Sequence, residues 1–333
     1  MRVFEELDRI IFKPYEYTEE ILGLARRFGY EPSIIYRYVE LLGYGGALRL
    51  LEANEKPMPE TIRCNDYLID CGILKSRLEA KGFVIERLPL APHGFEVLKA
   101  PIPVGATHEY LQGYYYIQDP GSMLVVYILD PKPGELVIDM AAAPGGKATQ
   151  ILQLTRDKAR LIAVDKSRRR IKALRSHMQR MGFTSYLAVR MDARRLPEIL
   201  KADRVLLDAP SSGEGIIRKD PSRRRRGTVE DLRRVHELQL SLLEKAVKLV
   251  KEDGVIVYAA CSTALEEGEY VIHKILESHS DIVVGKPHIQ LSPGVTSYRG
   301  ITLNPEVSKC VRLWPHIHGT EGFFICRLVK TRR

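Results

Sequence analysis

The chain has 333 residues, with 51 lysines and arginines against 42 aspartates and glutamates, a net charge of +9. A hydrophobic share of 45% and a charged share of 28% describe a soluble globular protein, long enough for an enzyme domain with a smaller companion. No apolar run reaches membrane-spanning length, and the opening MRVFEELDRIIFKPYEY lacks the layout of a secretory leader; a cytoplasmic, non-membrane, monomeric protein is expected. The excess of positive charge favours a polyanionic partner.

Residues 1–60 read as helices, because EEILGLARRFGY and PSIIYRYVELLGYGGALRLLEAN carry apolar residues at three- and four-residue spacing. A compact mixed module over 61–112 follows. TIRCNDYL is strand-like, GILKSRLEAKG is helical with a glycine stop, and FVIERLPL and GFEVLKAP are again strand-like. GYYYIQDPGSMLVVYIL then leads through a Pro-Gly turn into a catalytic domain over 113–333. Tyr114, Tyr115 and Tyr116 read as core and strand residues before base-stacking ones.

From residue 134 strands and helices alternate. GELVIDMAAAPGG is a strand ending in a glycine turn, followed by the helix KATQILQLT. RLIAVDK, YLAVRMDA, RVLLDAP and GVIVYAACS are further strands, and SRRRIKALRSHMQRMG is the helix after the second. The stretch TVEDLRRVHELQLSLLEKAVKLVKEDG predicts a long helix, with Thr228 and Asp231 as a capping box and Gly254 as its stop. ALEEGEYVIHKILESH predicts another, starting just after Cys261. This alternation implies an α/β fold with an open, largely parallel sheet and helices on both faces. Ligands of such sheets bind at the carboxyl ends of the strands.

Asp139, Asp165, Asp192 and Asp208 all fall at predicted strand ends. One such aspartate is ordinarily a helix cap; four around one sheet edge exceed what capping requires. A carboxylate ending the second strand suits a ribose diol. The turn Ala141-Ala142-Ala143-Pro144-Gly145-Gly146-Lys147 lets backbone N–H groups approach a ligand. Spacing excludes a phosphate-binding P-loop, since Lys147 is followed by Ala148, and it excludes a GxGxxG dinucleotide fingerprint. S-adenosyl-L-methionine, which has a ribose and no pyrophosphate, is the natural cofactor.

The odd count of cysteines (Cys64, Cys71, Cys261, Cys310 and Cys326) argues against a disulfide scaffold. Without a CxxC pair no structural zinc is expected, and His316 and His318 read as loop histidines rather than metal ligands. Cys261 ends a predicted strand at the same edge as Asp208, with a helix start beyond it that would favour a thiolate. Basic residues cluster at 165–180, 191–195 and 218–227. The first cluster reads as a solvated helix face. The run Arg223–Arg226, between proline and glycine, reads as a loop contacting phosphates.

DMAAAPGGKATQ, AVDKSRRR, MDARR, LLDAPSSGEG, YAACSTALEEGE and RLWPHIHGTEGFFICRL stand in one order along the chain. Together with QDPGSMLV and the 61–105 module, this series resembles the SUN/NOP family of RNA (cytosine-5) methyltransferases of archaeal type. The resemblance covers about residues 60–333. It implies a Rossmann-like S-adenosylmethionine-dependent methyltransferase sheet with an N-terminal helical segment and an RRM-like module. It also implies methyl transfer to carbon 5 of a cytosine in RNA, with tRNA ahead of rRNA because no further RNA-binding domain follows RLVKTRR.

By the same resemblance Cys261 is the nucleophile at carbon 6, and Asp208 serves the ring at nitrogen 3 and borders the methyl donor. Ala141 to Lys147 are the methionine-side loop, Asp165 is the ribose acid, Asp192 lies near the adenine and Arg170 supports the site. Most relatives carry a cysteine where this chain has Ser211, which assists release of the product, so that step is altered here. An amino-group methyltransferase would show [DN]PP[YF] in place of DAPS. The alternative from another class is a catalytically weak RNA-binding or ribosome-assembly factor on the same fold, which loss of Cys261 or Asp208 would have marked.

Overall fold

The computed structural model describes residues 2–289 and 291–332. They form two compact units, one of residues 59–208 and 248–257, the other of residues 1–58, 209–247 and 258–333.

The unit of residues 59–208 and 248–257 holds two sheets. The first comprises β1 (Glu60–Cys64), β2 (Val84–Arg87), β3 (Gly94–Lys99) and β4 (Tyr115–Ile117), in the order β2-β3-β1-β4. The pairs are antiparallel, so one face is free to carry a core. Ile62, Phe95, Leu74 and Tyr115 fill that core. The helix Cys71–Glu79 covers it, started by Asp70, whose side chain accepts from the N–H groups of Gly72 and Ile73. β4 is a strand that the sequence reading did not give the module, and it carries the sheet past residue 112. Tyr115 and Tyr116 are buried within it, as their strand reading required.

The second sheet contains β5 (Leu136–Asp139), β6 (Arg160–Asp165), β7 (Tyr186–Arg190), β8 (Ala202–Ala209) and β9 (Val250–Ala260). Their order is β9-β8-β5-β6-β7. β5 runs parallel to β6 and β8, and β6 to β7. The chain therefore crosses from β7 to β8 past β6 and β5, and the order reverses at β5, the topology that opens a crevice at the strands' carboxyl ends. The central strands β5 and β8 carry near-continuous apolar runs, as strands covered on both faces require; Val137, Ile138, Val205, Leu206 and Leu207 are fully buried.

The other unit holds β10 (Ile282–Val284), β11 (Ser292–Pro293), β12 (Ser297–Tyr298), β13 (Ile301–Thr302), β14 (Val311–Leu313) and β15 (Phe323–Lys330). β15 pairs antiparallel with β14 at its start, over 323–325, and with β10 at its end, over 328–330. The amino-terminal helices Glu19–Phe28 and Pro32–Asn54 bury Ile21, Leu24, Ile34, Ile35, Leu50 and Leu51 against Ile217 and Trp314. The helical segment thus shares a core with residues far along the chain.

Three local expectations change. The long helix ends at Leu249, and β9 begins at once, so Gly254 lies inside a strand and is no helix stop. Its start is as read: Thr228 caps it, accepting from the Asp231 N–H. Beyond Cys261 the chain makes a short turn at Leu265–Glu267, and the helix starts only at Glu269. Cys261 is therefore not at the helix start that the sequence suggested. Disulfides join Cys64 to Cys71 and Cys310 to Cys326, which corrects the expectation of none. Each closes a short loop, a pairing that an odd total does not exclude.

Candidate active site

The glycine turn between β5 and the helix Gly146–Leu154 is stitched to both neighbouring strands. Met140 donates to the Leu206 carbonyl and Ala142 to the Val164 carbonyl, each at 2.9 Å. Gly145 has φ +121°, which side-chain-bearing residues rarely adopt, and a Cβ there would stand 3.1 Å from Leu174. Lys147 on the first turn reaches Asp208 at the end of β8, with Nζ 2.7 Å from Oδ2. Their side chains are only 11% and 30% exposed, so this pair is better shielded than a surface ion pair.

Asp139, at the end of β5, is buried. Its Oδ1 accepts from the Ala141 N–H at 3.3 Å, while Oδ2 has no partner. Burial, with the neighbouring Asp208 charge, pushes its carboxyl up to about 7. Asp165, also buried, accepts from the Ser167 N–H at 2.8 Å. Arg170 lies 3.3 Å from the second Asp165 oxygen and donates to the Ala143 carbonyl. It therefore ties the turn to the acid, whereas Arg168, Arg169, Lys172 and Arg175 on the same helix face solvent. Asp192 caps the turn Ala193–Arg195 and pairs with Arg194 at 2.6 Å. The hydrogen bond from Arg194 holds its carboxyl below the usual range.

Behind the turn stands Arg63 of β1, a residue the sequence reading passed over. It is fully buried and donates to the Gly146 carbonyl at 2.7 Å, to Thr149 at 2.8 Å and to Gln153 at 2.9 Å. Burial among neutral acceptors lowers its guanidinium to about 10. The small module thus holds the turn through one buried cation.

In the other unit, Cys261 directly follows β9 and is the one cysteine outside a disulfide. Its carbonyl accepts from the Ser211 hydroxyl and from the Gly215 N–H, both at 3.2 Å. A Cβ on Gly215 would come 2.0 Å from the Gly322 carbonyl, so this close backbone crossing requires glycine. Ser212 donates its N–H to Glu267, whose carboxyl burial pushes up to about 7. Glu214 is buried, paired with Arg37 and hydrogen-bonded by Thr263 at 2.7 Å. The Cys261 thiol faces Glu321, with Sγ 3.5 Å from Oε2, and Lys219 holds the other Glu321 oxygen at 2.5 Å.

The basic run 218–227 divides. Arg223 pairs with Asp220 and donates to the Ser212 carbonyl, and Arg224 pairs with Glu55. Of the four consecutive arginines, Arg225 and Arg226 are the exposed ones, and Pro221–Arg225 is a short helical turn rather than an open loop. His318 accepts from the Trp314 N–H at 2.9 Å.

Residues 126–329 match the family model described as 16S rRNA methyltransferase RsmB/F. The chain belongs to this family. Residues 32–120 match the N-terminal domain of 16S rRNA methyltransferase RsmF. Among curated RsmB/F relatives, a 25S rRNA (cytosine-C(5))-methyltransferase, nop2, of Schizosaccharomyces pombe is 34% identical over 95% of this chain and 53% of its own length. A probable ribosomal RNA small subunit methyltransferase B of Bacillus subtilis is 32% identical over 94% and 69%. This chain spans about half the length, or less, of the first four curated relatives it matches. A methyltransferase homologue from Pyrococcus horikoshii has the same fold over 94% of this chain and all of its own, with TM-score 0.86 and 36% identity. NSun6 from Pyrococcus horikoshii, solved with SFG, aligns over 90% of this chain and 98% of its own with TM-score 0.80 and 25% identity. The fold is the Rossmann-like methyltransferase fold. No helix among the described residues is long and apolar enough to cross a membrane.

Proposed function

We propose that the protein transfers a methyl group from S-adenosyl-L-methionine to carbon 5 of a cytosine in ribosomal RNA, through a covalent adduct of Cys261 at carbon 6. The observation that carries this reading is Cys261 itself. It is the one cysteine kept out of a disulfide, held at a strand end with its thiol facing a carboxylate. The rRNA methyltransferase activities named for the family's relatives favour rRNA over the tRNA expected from sequence.

The residues of the donor edge fit the cofactor. Asp165 offers a buried carboxylate to a ribose diol, and Ala141 to Lys147 supply a close-approach backbone. Asp139 Oδ2, buried without a partner, is an atom that a polar ligand would satisfy. Arg170 keeps the turn and Asp165 in register, and Asp192 offers a partly exposed carboxylate beyond β7. S-adenosylmethionine supplies an electrophilic methyl group on a sulfonium.

Carbon 5 of cytosine is a weak nucleophile. Addition of the Cys261 thiolate at carbon 6 converts it to an enamine carbon able to accept methyl. Asp208, steadied by Lys147, serves nitrogen 3 as charge develops on the ring. A cytosine in folded RNA must leave its stack to be attacked, and the exposed Arg168, Arg169, Arg225 and Arg226 offer charge to its phosphates. Ser211 bonds the Cys261 backbone, so at this position a hydroxyl that fixes the nucleophile's loop replaces the usual release thiol.

Bisulfite sequencing of ribosomal RNA incubated with protein and methyl donor tests the reading. Wild-type protein produces protected cytosine and Cys261→Ala produces none; methylation retained by that variant rules out the mechanism.

A further inference from the structure

We propose that Glu321 is the base that takes the Cys261 proton as the thiol attacks the cytosine, with Lys219 holding the carboxylate in place. The inference rests on the cytosine-5 reading above and assigns a residue to a step that reading leaves open. Cys261 must lose its proton to become a nucleophile, and it does not stand at the helix start that the sequence suggested for this purpose, because the helix begins only at Glu269. What faces the thiol instead is Glu321 Oε2, 3.5 Å from Sγ, a distance at which an S–H donates to a carboxylate.

The backbone fixes Glu321 beside the sulfur. It immediately precedes Gly322, whose N–H donates to the Gly215 carbonyl, while Gly215 donates to the Cys261 carbonyl. One set of backbone bonds therefore sets both the sulfur and the carboxylate. A Cβ on Gly322 would stand 2.6 Å from the Thr263 side-chain methyl and 3.0 Å from the Gly215 Cα, so the Glu321 turn is packed tightly against the loops beside Cys261. Lys219 Nζ lies 2.5 Å from Oε1, and that grip turns Oε2 to the thiol. The other buried acids near these loops are held elsewhere: Glu214 pairs with Arg37, Glu269 with Arg312, and Glu267 accepts from the Ser212 N–H.

The step balances. The S–H bond breaks, its proton moves to Glu321 Oε2, and the sulfur electron pair forms the bond to carbon 6. After methyl transfer, the carbon 5 proton leaves to water and the S–C6 bond breaks. Glu321 then returns its proton to the departing thiolate. The pair ends as it began, and the one proton released overall is that of carbon 5.

The test is the pH dependence of single-turnover methylation, run beside alkylation of Cys261 by iodoacetamide, which reads the thiolate fraction. Glu321→Gln lowers methylation about 100-fold at pH 7. Its rate then climbs about tenfold per pH unit as the thiol ionises unaided. Alkylation of the same variant is as fast as wild type or faster, because a carboxylate beside a thiolate disfavours it. Glu321→Asp, which keeps the charge, recovers part of the rate. A Gln variant within about threefold of wild type at pH 7 overturns the proposal, as does an equal loss at every pH. The Cys261→Ala control separates the two readings. If it still methylates, both fail; if it is inactive while Glu321→Gln is unimpaired, only the proton acceptor is wrong.

Discussion

Between Met140 and Lys147 the chain is held by its neighbours in the sheet, with Met140 bonded to Leu206 and Ala142 to Val164. Around Cys261 the support comes from far away in sequence. Arg37 reaches Glu214 across 177 positions, and Thr263 carries that pair to the Cys261 strand end. The donor turn needs backbone conformation above all, which glycine supplies cheaply. The Cys261 loop is instead braced by buried ion pairs whose partners would be costly to leave alone. The two regions should therefore fail differently when disturbed.

The largest stability effect is expected at the ion pair. Arg37→Met leaves the Glu214 carboxylate buried without its cation and should remove about 3–5 kcal/mol in urea unfolding at pH 7. A loss below about 1 kcal/mol would mean that Thr263 alone satisfies Glu214, and the contrast with the donor turn would weaken.

A smaller effect of opposite sign is expected at Asp139. Its folded-state carboxyl titrates at about 7 against 3.8 in the free residue, because burial and Asp208 oppose its charge. The folded protein thus keeps a proton that the unfolded chain gives up, so the contribution of Asp139 to stability declines as pH rises from about 4 to about 7 and levels off above. Asp139→Asn should flatten part of that decline and stabilise the ligand-free protein at pH 8 by on the order of 2 kcal/mol. Glu267, raised by burial to about 7, and Glu266, also raised by burial, add slope of the same sign, while His236, lowered by burial to about 4, opposes it. Unfolding free energies at pH 5 and pH 8 check this; an unchanged slope in the variant would show that Asp139 ionises freely.

Local chemistry made the carboxyl ends of β5, β6 and β8 legible. The run Ala141–Lys147, Asp165 and Asp208 are adjacent to strand ends that hydrophobic patterning marks directly, and Arg170 meets Asp165 one helical turn on. Arg63 was invisible because its acceptors lie 55 to 90 positions away and no pattern in TIRCNDYL points to them. Glu321 was visible as part of TEGFF but not as a neighbour of Cys261, since 60 positions separate them. The helix placed just after Cys261 was misread because apolar spacing in ALEEGEYVIHKILESH continues through a turn that Gly268 breaks. The cysteines misled by their odd total, when the informative fact was that four pair and one does not.

The central claim, attack by Cys261 on carbon 6, is tested most directly by incubating the protein and methyl donor with rRNA containing 5-fluorocytosine. Fluorine at carbon 5 removes the proton whose loss ends the reaction, so the adduct persists. A denaturing gel should show a stable protein–RNA band that digests to a peptide bearing the nucleotide on Cys261. Ordinary cytosine RNA should give no such band if the Ser211 site releases product normally. Methylation of cytosine RNA without any adduct on the fluorinated RNA, or an adduct on a residue other than Cys261, would contradict the account.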